Sequence, residues 1–145
     1  MATTILVPID LSLERDRDPG FEQARAIARL AASRLVLLYV LPDVPLGYIS
    51  PDQRASTLAR LKYEAFERLK AVAETAVDMP VEVIVEEGAP ARAILDVART
   101  LPAHLIVMAS HNPAFSDYVL GSVAARVVRY AQCSVLVARQ GPPED

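Results

Sequence analysis

The stretch Leu105 to Val137, LIVMASHNPAFSDYVLGSVAARVVRYAQCSVLV, decides how the rest of the chain is read. Leu105-Ile106-Val107-Met108 is a continuous apolar run, as expected of a parallel strand covered on both faces. It breaks into Ala109-Ser110-His111-Asn112-Pro113, small and polar residues at what would be the carboxyl end of that strand. In open α/β sheets that edge is where ligands bind. Gly121-Ser122 then precedes a helical run from Val123 to Val128, and Ser134 to Ala138 is a second apolar strand. Ser122 is expected to cap the helix, and Gly121 to let a ligand approach the backbone. Free N–H groups at a helix start attract anions. The stretch therefore predicts a loop and a helix N-terminus facing each other across a phosphate-sized gap.

Working outward, strands alternate with helices. Thr4 to Ile9 is β-branched and apolar and reads as the first strand, with pairing ending at Pro8, which has no N–H. Asp10 follows at its carboxyl end, a candidate for a ribose or metal contact or for a turn held by its own side chain. Leu13 to Asp18 is a charged loop, and Asp18-Pro19 starts a helix. Phe21, Ala24, Ala28 and Ala31 form its apolar stripe, with Arg25 and Arg29 on a solvated face. Arg34 to Leu41 is the second strand. In the loop after it, Tyr48 reads as an aromatic packed on its own domain more readily than as a ligand cover.

Ser50-Pro51-Asp52-Gln53 is a capping box opening a long helix to about Ala76. Leu58, Leu61, Ala65, Leu69, Val72 and Ala76 mark its buried side, while Arg60, Lys62, Glu64, Glu67, Arg68 and Lys70 read as plain solvation. Val81 to Val85 alternates and suggests an edge strand. Pro90 opens a third helix to Leu101, and His104 sits at the amino end of the next strand, away from the expected site. The alternation implies a parallel sheet with right-handed crossovers and helices on both faces. Alternation alone leaves two strand orders open, 3-2-1-4-5 and 2-1-3-4-5.

The bulk numbers narrow the function. One domain spanning 1–145 is expected from 145 residues. A hydrophobic share of 52% can fill its core, and a net charge of −3 argues against a general nucleic-acid binder. No apolar run reaches the roughly 20 residues that span a membrane. Met1-Ala2-Thr3-Thr4 lacks a secretory signal, and Cys133, the only cysteine, reads as a small core residue. A cytoplasmic protein is expected.

Several chemistries are disfavoured. Lys62 and Lys70 are the only lysines, and there is no GxxxxGK[ST] loop. There is no GxGxxG after the first strand and no zinc motif. Leu-Gly-Ser-Val-Ala around Ser122 lacks the second glycine of a nucleophile elbow. His111 could donate to a phosphate, but anion sites at helix starts rely mainly on backbone N–H groups. Asn112 tolerates positive φ and can shape the loop.

Three segments resemble the universal stress protein family. Ile5-Leu6-Val7-Pro8-Ile9-Asp10 is similar to its opening strand, and Glu87-Gly88-Ala89-Pro90 to its third turn. Gly121-Ser122-Val123-Ala124 through Cys133-Ser134-Val135-Leu136-Val137 is similar to its closing helix and strand. The family's G-x2-G-x9-G-[ST] pattern is altered here, with Ala109 and Asn112 at the first two glycines and a last gap of eight residues. Ala109-Ser110-His111-x-Pro113 with Tyr118-x-Leu120-Gly121-Ser122 resembles the F/G-type, nucleotide-binding branch. The resemblance implies a Rossmann-like five-stranded sheet of order 3-2-1-4-5 with ATP in the crevice, with or without magnesium. Carried over by position, Pro8, Asp10 and Leu11 would line the adenosine and Val40 would present backbone to adenine. Met108, Ala109, Ser110, His111 and Asn112, with Gly121, Ser122 and Val123, would hold the phosphates. It also implies a homodimer through Val135 to Val137, an apolar sheet edge that needs covering.

The expected role is an ATP-binding regulatory module of the stress response without efficient catalysis. The alternatives are a slow ATPase or phosphoryl- or adenylyl-transfer enzyme, and a flavin or other adenosine-cofactor module.

Overall fold

The computed structural model describes residues 3–11, 18–43, 47–110 and 120–139. Five parallel strands form one sheet in the order β3-β2-β1-β4-β5, which settles between the two orders that alternation allows. They are β1 (Thr4–Pro8), β2 (Arg34–Leu41), β3 (Val81–Glu87), β4 (Leu105–Ala109) and β5 (Ser134–Ala138). The helices between them are α1 (Pro19–Ala31), α2 (Pro51–Glu74), α3 (Pro90–Thr100) and α4 (Ser122–Tyr130).

The side-chain period of a strand divides the core into two. Ile5, Val7, Leu35, Leu37 and Val107 face one side and pack with Phe21, Ala24 and Ala28 of α1 and Ala65, Leu69 and Ala73 of α2. Leu6, Val36, Leu38, Ile106 and Met108 face the other and pack with Ala91, Ile94 and Ala98 of α3 and Ala124 and Val127 of α4. Central strands buried on both faces explain the continuous apolar runs in β1, β2 and β4. β3 lies at the edge, and its half-wet alternation follows from that.

Helix starts are as the sequence predicts for α1 and α2. The Asp18 side chain accepts from the Phe21 amide at 3.0 Å. Ser50 and Gln53 form the reciprocal capping box. Helix α4 corrects the expectation: Gly121 is its N-cap, with no side-chain cap hydrogen bond, and Ser122 is the first helical residue. The hydroxyl is thereby free of the capping role that the sequence suggested. Helix α1 ends on Ala32 in the left-handed region, at φ 50°, and Ala31, expected on the apolar stripe, is exposed at its last turn. The long helix ends at Glu74, and Ala76 is buried in the turn that follows it.

Two supposed solvated faces carry tertiary contacts. Arg25 and Arg29 both meet Asp78, Arg25 at 3.5 Å, which ties α1 to the segment before β3. Arg68 Nη2 donates to the Leu11 carbonyl at 2.7 Å, which holds the turn after β1 against α2. Arg34 Nη2 donates to Glu82 Oε1 at 2.8 Å across β2 and β3.

These pairs set a pH dependence. The hydrogen bond from Arg29 is the main force holding the Asp78 carboxyl below its ordinary range, and that from Arg34 does the same for Glu82. A carboxylate depressed in the folded state stabilises fully above its unfolded pKa and loses that contribution as pH falls through the folded one. Both pairs are largely solvent-exposed, so the effect is small. The expected result is a urea midpoint that declines below about pH 4, with a shallower decline in the Asp78→Asn, Glu82→Gln double variant. Equal acid slopes in the two proteins would show that the pairs contribute nothing.

Candidate functional site

The site arises from unequal strand lengths. β1 ends at Pro8, paired with Leu38, while β2 continues through Tyr39, Val40 and Leu41 with β3 alone. The Ile9 amide donates to the Leu38 carbonyl at 2.8 Å and closes the ladder. Backbone groups alternate sides along a strand, and Leu41 directs its carbonyl to Gly88 on the β3 side. Val40 therefore turns its N–H and C=O toward the side that β1 has left.

A cavity of about 370 Å³ occupies that place, at the carboxyl ends of β1, β2 and β4. This is the switch point of the sheet, since β2 and β4 flank β1 and their crossovers run to opposite faces. Leu38, Val40, Pro42, Ile94 and Met108 give it an apolar wall. Gly121, Ser122, Val123 and Ala124 form its other side. The first backbone bond of α4 runs from the Ala125 amide to the Gly121 carbonyl at 2.9 Å. The amides of Ser122, Val123 and Ala124 are thus not used within the helix, and the positive end of its dipole lies at the cavity.

Among the expected site residues, Pro8, Asp10, Val40, Met108, Ala109, Gly121, Ser122 and Val123 all line this cavity. Leu11 is not among them. Its side chain is buried in the core on the α1 and α2 side, because the turn after β1 passes over that face. The Ser110 amide donates to the Ala138 carbonyl at 2.8 Å, extending the β4–β5 ladder, so this N–H is committed to the sheet. His111 and Asn112 lie outside the described residues. Tyr48 is exposed and is not part of the lining.

The sequence reading missed Asp18, Tyr39, Pro42, Pro90 and Ile94, which also line the cavity. Asp18 and Pro90 were legible only as helix-start residues. Asp18 reaches the cavity because α1 packs tightly on the end of β4. A Cβ on Gly20 would stand 3.1 Å from the Ala109 amide nitrogen and 3.0 Å from Asp18 Oδ1. Burial is the main cause raising the Tyr39 phenol above its ordinary pKa, with the Asp10 charge adding to it. The phenol is therefore a neutral donor at physiological pH.

Away from the cavity, His104 Nδ1 accepts from the Thr4 amide at 3.0 Å and joins the amino ends of β1 and β4. Cys133 is half-buried against the α3 and α4 core, and burial pushes its thiol upward. Among the described residues there is no group of three or more His, Cys, Asp or Glu side chains placed to hold a metal. No helix among them is long and apolar enough to cross a membrane.

The lining offers an apolar slot, an exposed strand backbone and a helix N-terminus, a set suited to an aromatic base joined to an anion. The model of the universal stress protein family matches residues 1–139. The chain belongs to the universal stress protein family. It is 31% identical over 144 residues to universal stress protein G of Escherichia coli O157:H7, covering 96% of this chain and 100% of the relative. The solved structure of universal stress protein UspA from Lactobacillus plantarum superposes with a TM-score of 0.73 at 28% identity, over 94% of this chain and 97% of that one. A universal stress protein solved in complex with cAMP superposes with a TM-score of 0.64 at 23% identity, over 97% of this chain and 98% of that one. The strand order and the flanking helices are those of the family's Rossmann-like fold.

Proposed function

We propose that this chain is an ATP-binding regulatory protein of the universal stress family, working by occupancy of the cavity and without efficient catalysis. The observation that carries the reading is the convergence on one cavity of the Val40 backbone, the apolar wall and the unused amides of α4. The volume of about 370 Å³ suits a small nucleotide. Adenine would lie between Val40 and Ile94, with the backbone of Val40 meeting its polar edge. Asp10 would meet the ribose, and the first turn of α4 the phosphates. A universal stress protein of the same fold has been solved in complex with cAMP, which supports a nucleotide as the ligand class. Bound nucleotide would bridge the end of β4 and the start of α4 and so fix the surface offered to a partner. Magnesium would be carried by the phosphates.

Titration calorimetry of the full chain with ATP and magnesium tests the reading. One site per chain is expected; no heat and no displacement of a fluorescent adenine nucleotide would sink it.

We also propose a homodimer through β5, in a cytoplasmic setting. β5 pairs with β4 on one side only, and Val135, Leu136 and Val137 are half-buried at that sheet edge. A second copy would cover this edge about a twofold axis. Val137→Lys is expected to convert a dimer to a monomer in light scattering. A wild-type monomer at micromolar concentration, or an unchanged dimer in the variant, would contradict it.

A further inference from the structure

We infer that Arg68 is a positioning residue of this cavity: through the Leu11 carbonyl it holds the turn that presents Asp10 to the ribose of a bound nucleotide. The inference rests on the nucleotide reading above and names what sets its ribose contact. Asp10 lines the cavity past the last pair of the β1–β2 ladder, Pro8 with Leu38. It stands between two anchored residues. On one side the Ile9 amide donates to the Leu38 carbonyl at 2.8 Å. On the other, Leu11 is fixed twice. Its side chain is buried in the core that α1 and α2 cover, and its carbonyl accepts from Arg68 Nη2 at 2.7 Å.

The two anchors on Leu11 do different things. A buried side chain fixes where the residue sits but leaves its peptide plane free to turn about the backbone dihedrals. The guanidinium fixes the plane, through a charge-assisted bond roughly twice as strong as a neutral one. The Tyr39 phenol, another lining residue, shows that these groups share one neighbourhood. Burial is the main cause raising its pKa; the Asp10 charge raises it further and the Arg68 charge lowers it. Arg68 is not among the described lining residues, so its effect on a ligand passes through the turn.

The test is titration of the ligand-free full chain with ATP and with its dideoxy analogue, which lacks both ribose hydroxyls, each with magnesium. The proteins are the wild type, Arg68→Met, Asp10→Ala and the double variant. Methionine keeps an unbranched stem on α2 without the guanidinium, and thermal unfolding checks the fold. Wild type is expected to bind ATP about tenfold more tightly than the analogue, the worth of one hydrogen bond to a charged group. Asp10→Ala is expected to bring that ratio to about one. Arg68→Met is expected to bring it to about two, by weakening ATP about fivefold and changing the analogue less than about twofold. The double variant is expected to match Asp10→Ala, since both substitutions act on one contact. An equal loss for both ligands in Arg68→Met would make the arginine a brace for the fold alone and overturns the inference. An unchanged ratio in Arg68→Met or in Asp10→Ala, or a wild type without preference for ATP, also overturns it. If Arg68→Met does not fold, Arg68→Gln, neutral and shorter, carries the same comparison. Failure of both ligands to bind the wild type overturns the nucleotide reading and takes the inference with it.

Discussion

Gly121→Val is expected to weaken nucleotide binding at least a hundredfold, about 2.7 kcal/mol, while the protein stays folded. Gly121 lines the cavity directly before the first helical amides of α4. A branched side chain there occupies the space that an anion needs to reach those N–H groups. The backbone tolerates the change, because φ is −58° and ψ is 151°, an extended conformation open to valine. The cost to the helix start lies within the roughly 0.5–2 kcal/mol that separates good caps from poor ones. Calorimetry for binding and thermal unfolding for the fold should therefore separate. Normal affinity in a folded variant would remove the phosphate site from this end of α4.

Gly20→Val is expected to destabilise the fold by about 3 kcal/mol and to spoil the cavity as well. Helix propensity alone predicts the opposite sign, since glycine is the poorer helix former by several tenths of a kcal/mol. Packing decides. The added Cβ would stand 3.1 Å from the Ala109 nitrogen and 3.3 Å from the Met108 carbonyl carbon. Both are backbone atoms of β4, paired there with β5 at Met108–Val137 and Ala109–Ala138, and cannot swing aside as a flexible side chain would. Helix α1 must move off the sheet, opening the contact of buried Phe21 and Ala24 with the core. Denaturant unfolding measures the loss. A change below 0.5 kcal/mol, on the order of an ordinary surface substitution, would show that the α1–β4 approach has more slack than the geometry allows.

The two variants also mark what could be read from the sequence. The strands announce themselves because they are buried on both faces, so Leu105–Met108 and Arg34–Leu41 stand out as apolar runs. Asp18-Pro19 and Ser50-Pro51-Asp52-Gln53 carry their helix starts in the local chemistry of caps. The family resemblance supplies the strand order that alternation leaves open, and with it the meeting of Pro8, Asp10 and Met108 at one edge. What was not legible depends on three-dimensional adjacency. Nothing in the residues around Gly20 says that a strand eighty-odd positions later will lie against it. Asp18 consequently reads as a cap alone, and its second role appears only when α1 is seated on β4. Leu11 shows the reverse case. It sits one residue after Asp10, yet the turn carries its side chain to the other face of the sheet. Ser122 was read as a cap from its type, but the chain enters α4 one residue earlier and leaves the hydroxyl beside the cavity. Arg25, Arg29 and Arg68 look like solvation because their partners, Asp78 and the Leu11 carbonyl, are distant in sequence.

The central claim is that the cavity between β1, β2, β4 and the start of α4 holds an adenine nucleotide. The most direct measurement is to denature freshly purified protein and identify the released small molecule by ion-exchange chromatography and mass spectrometry. An adenine nucleotide in an amount close to one per chain is the predicted result. A protein that releases none, and still releases none after incubation with ATP and magnesium, would contradict the account.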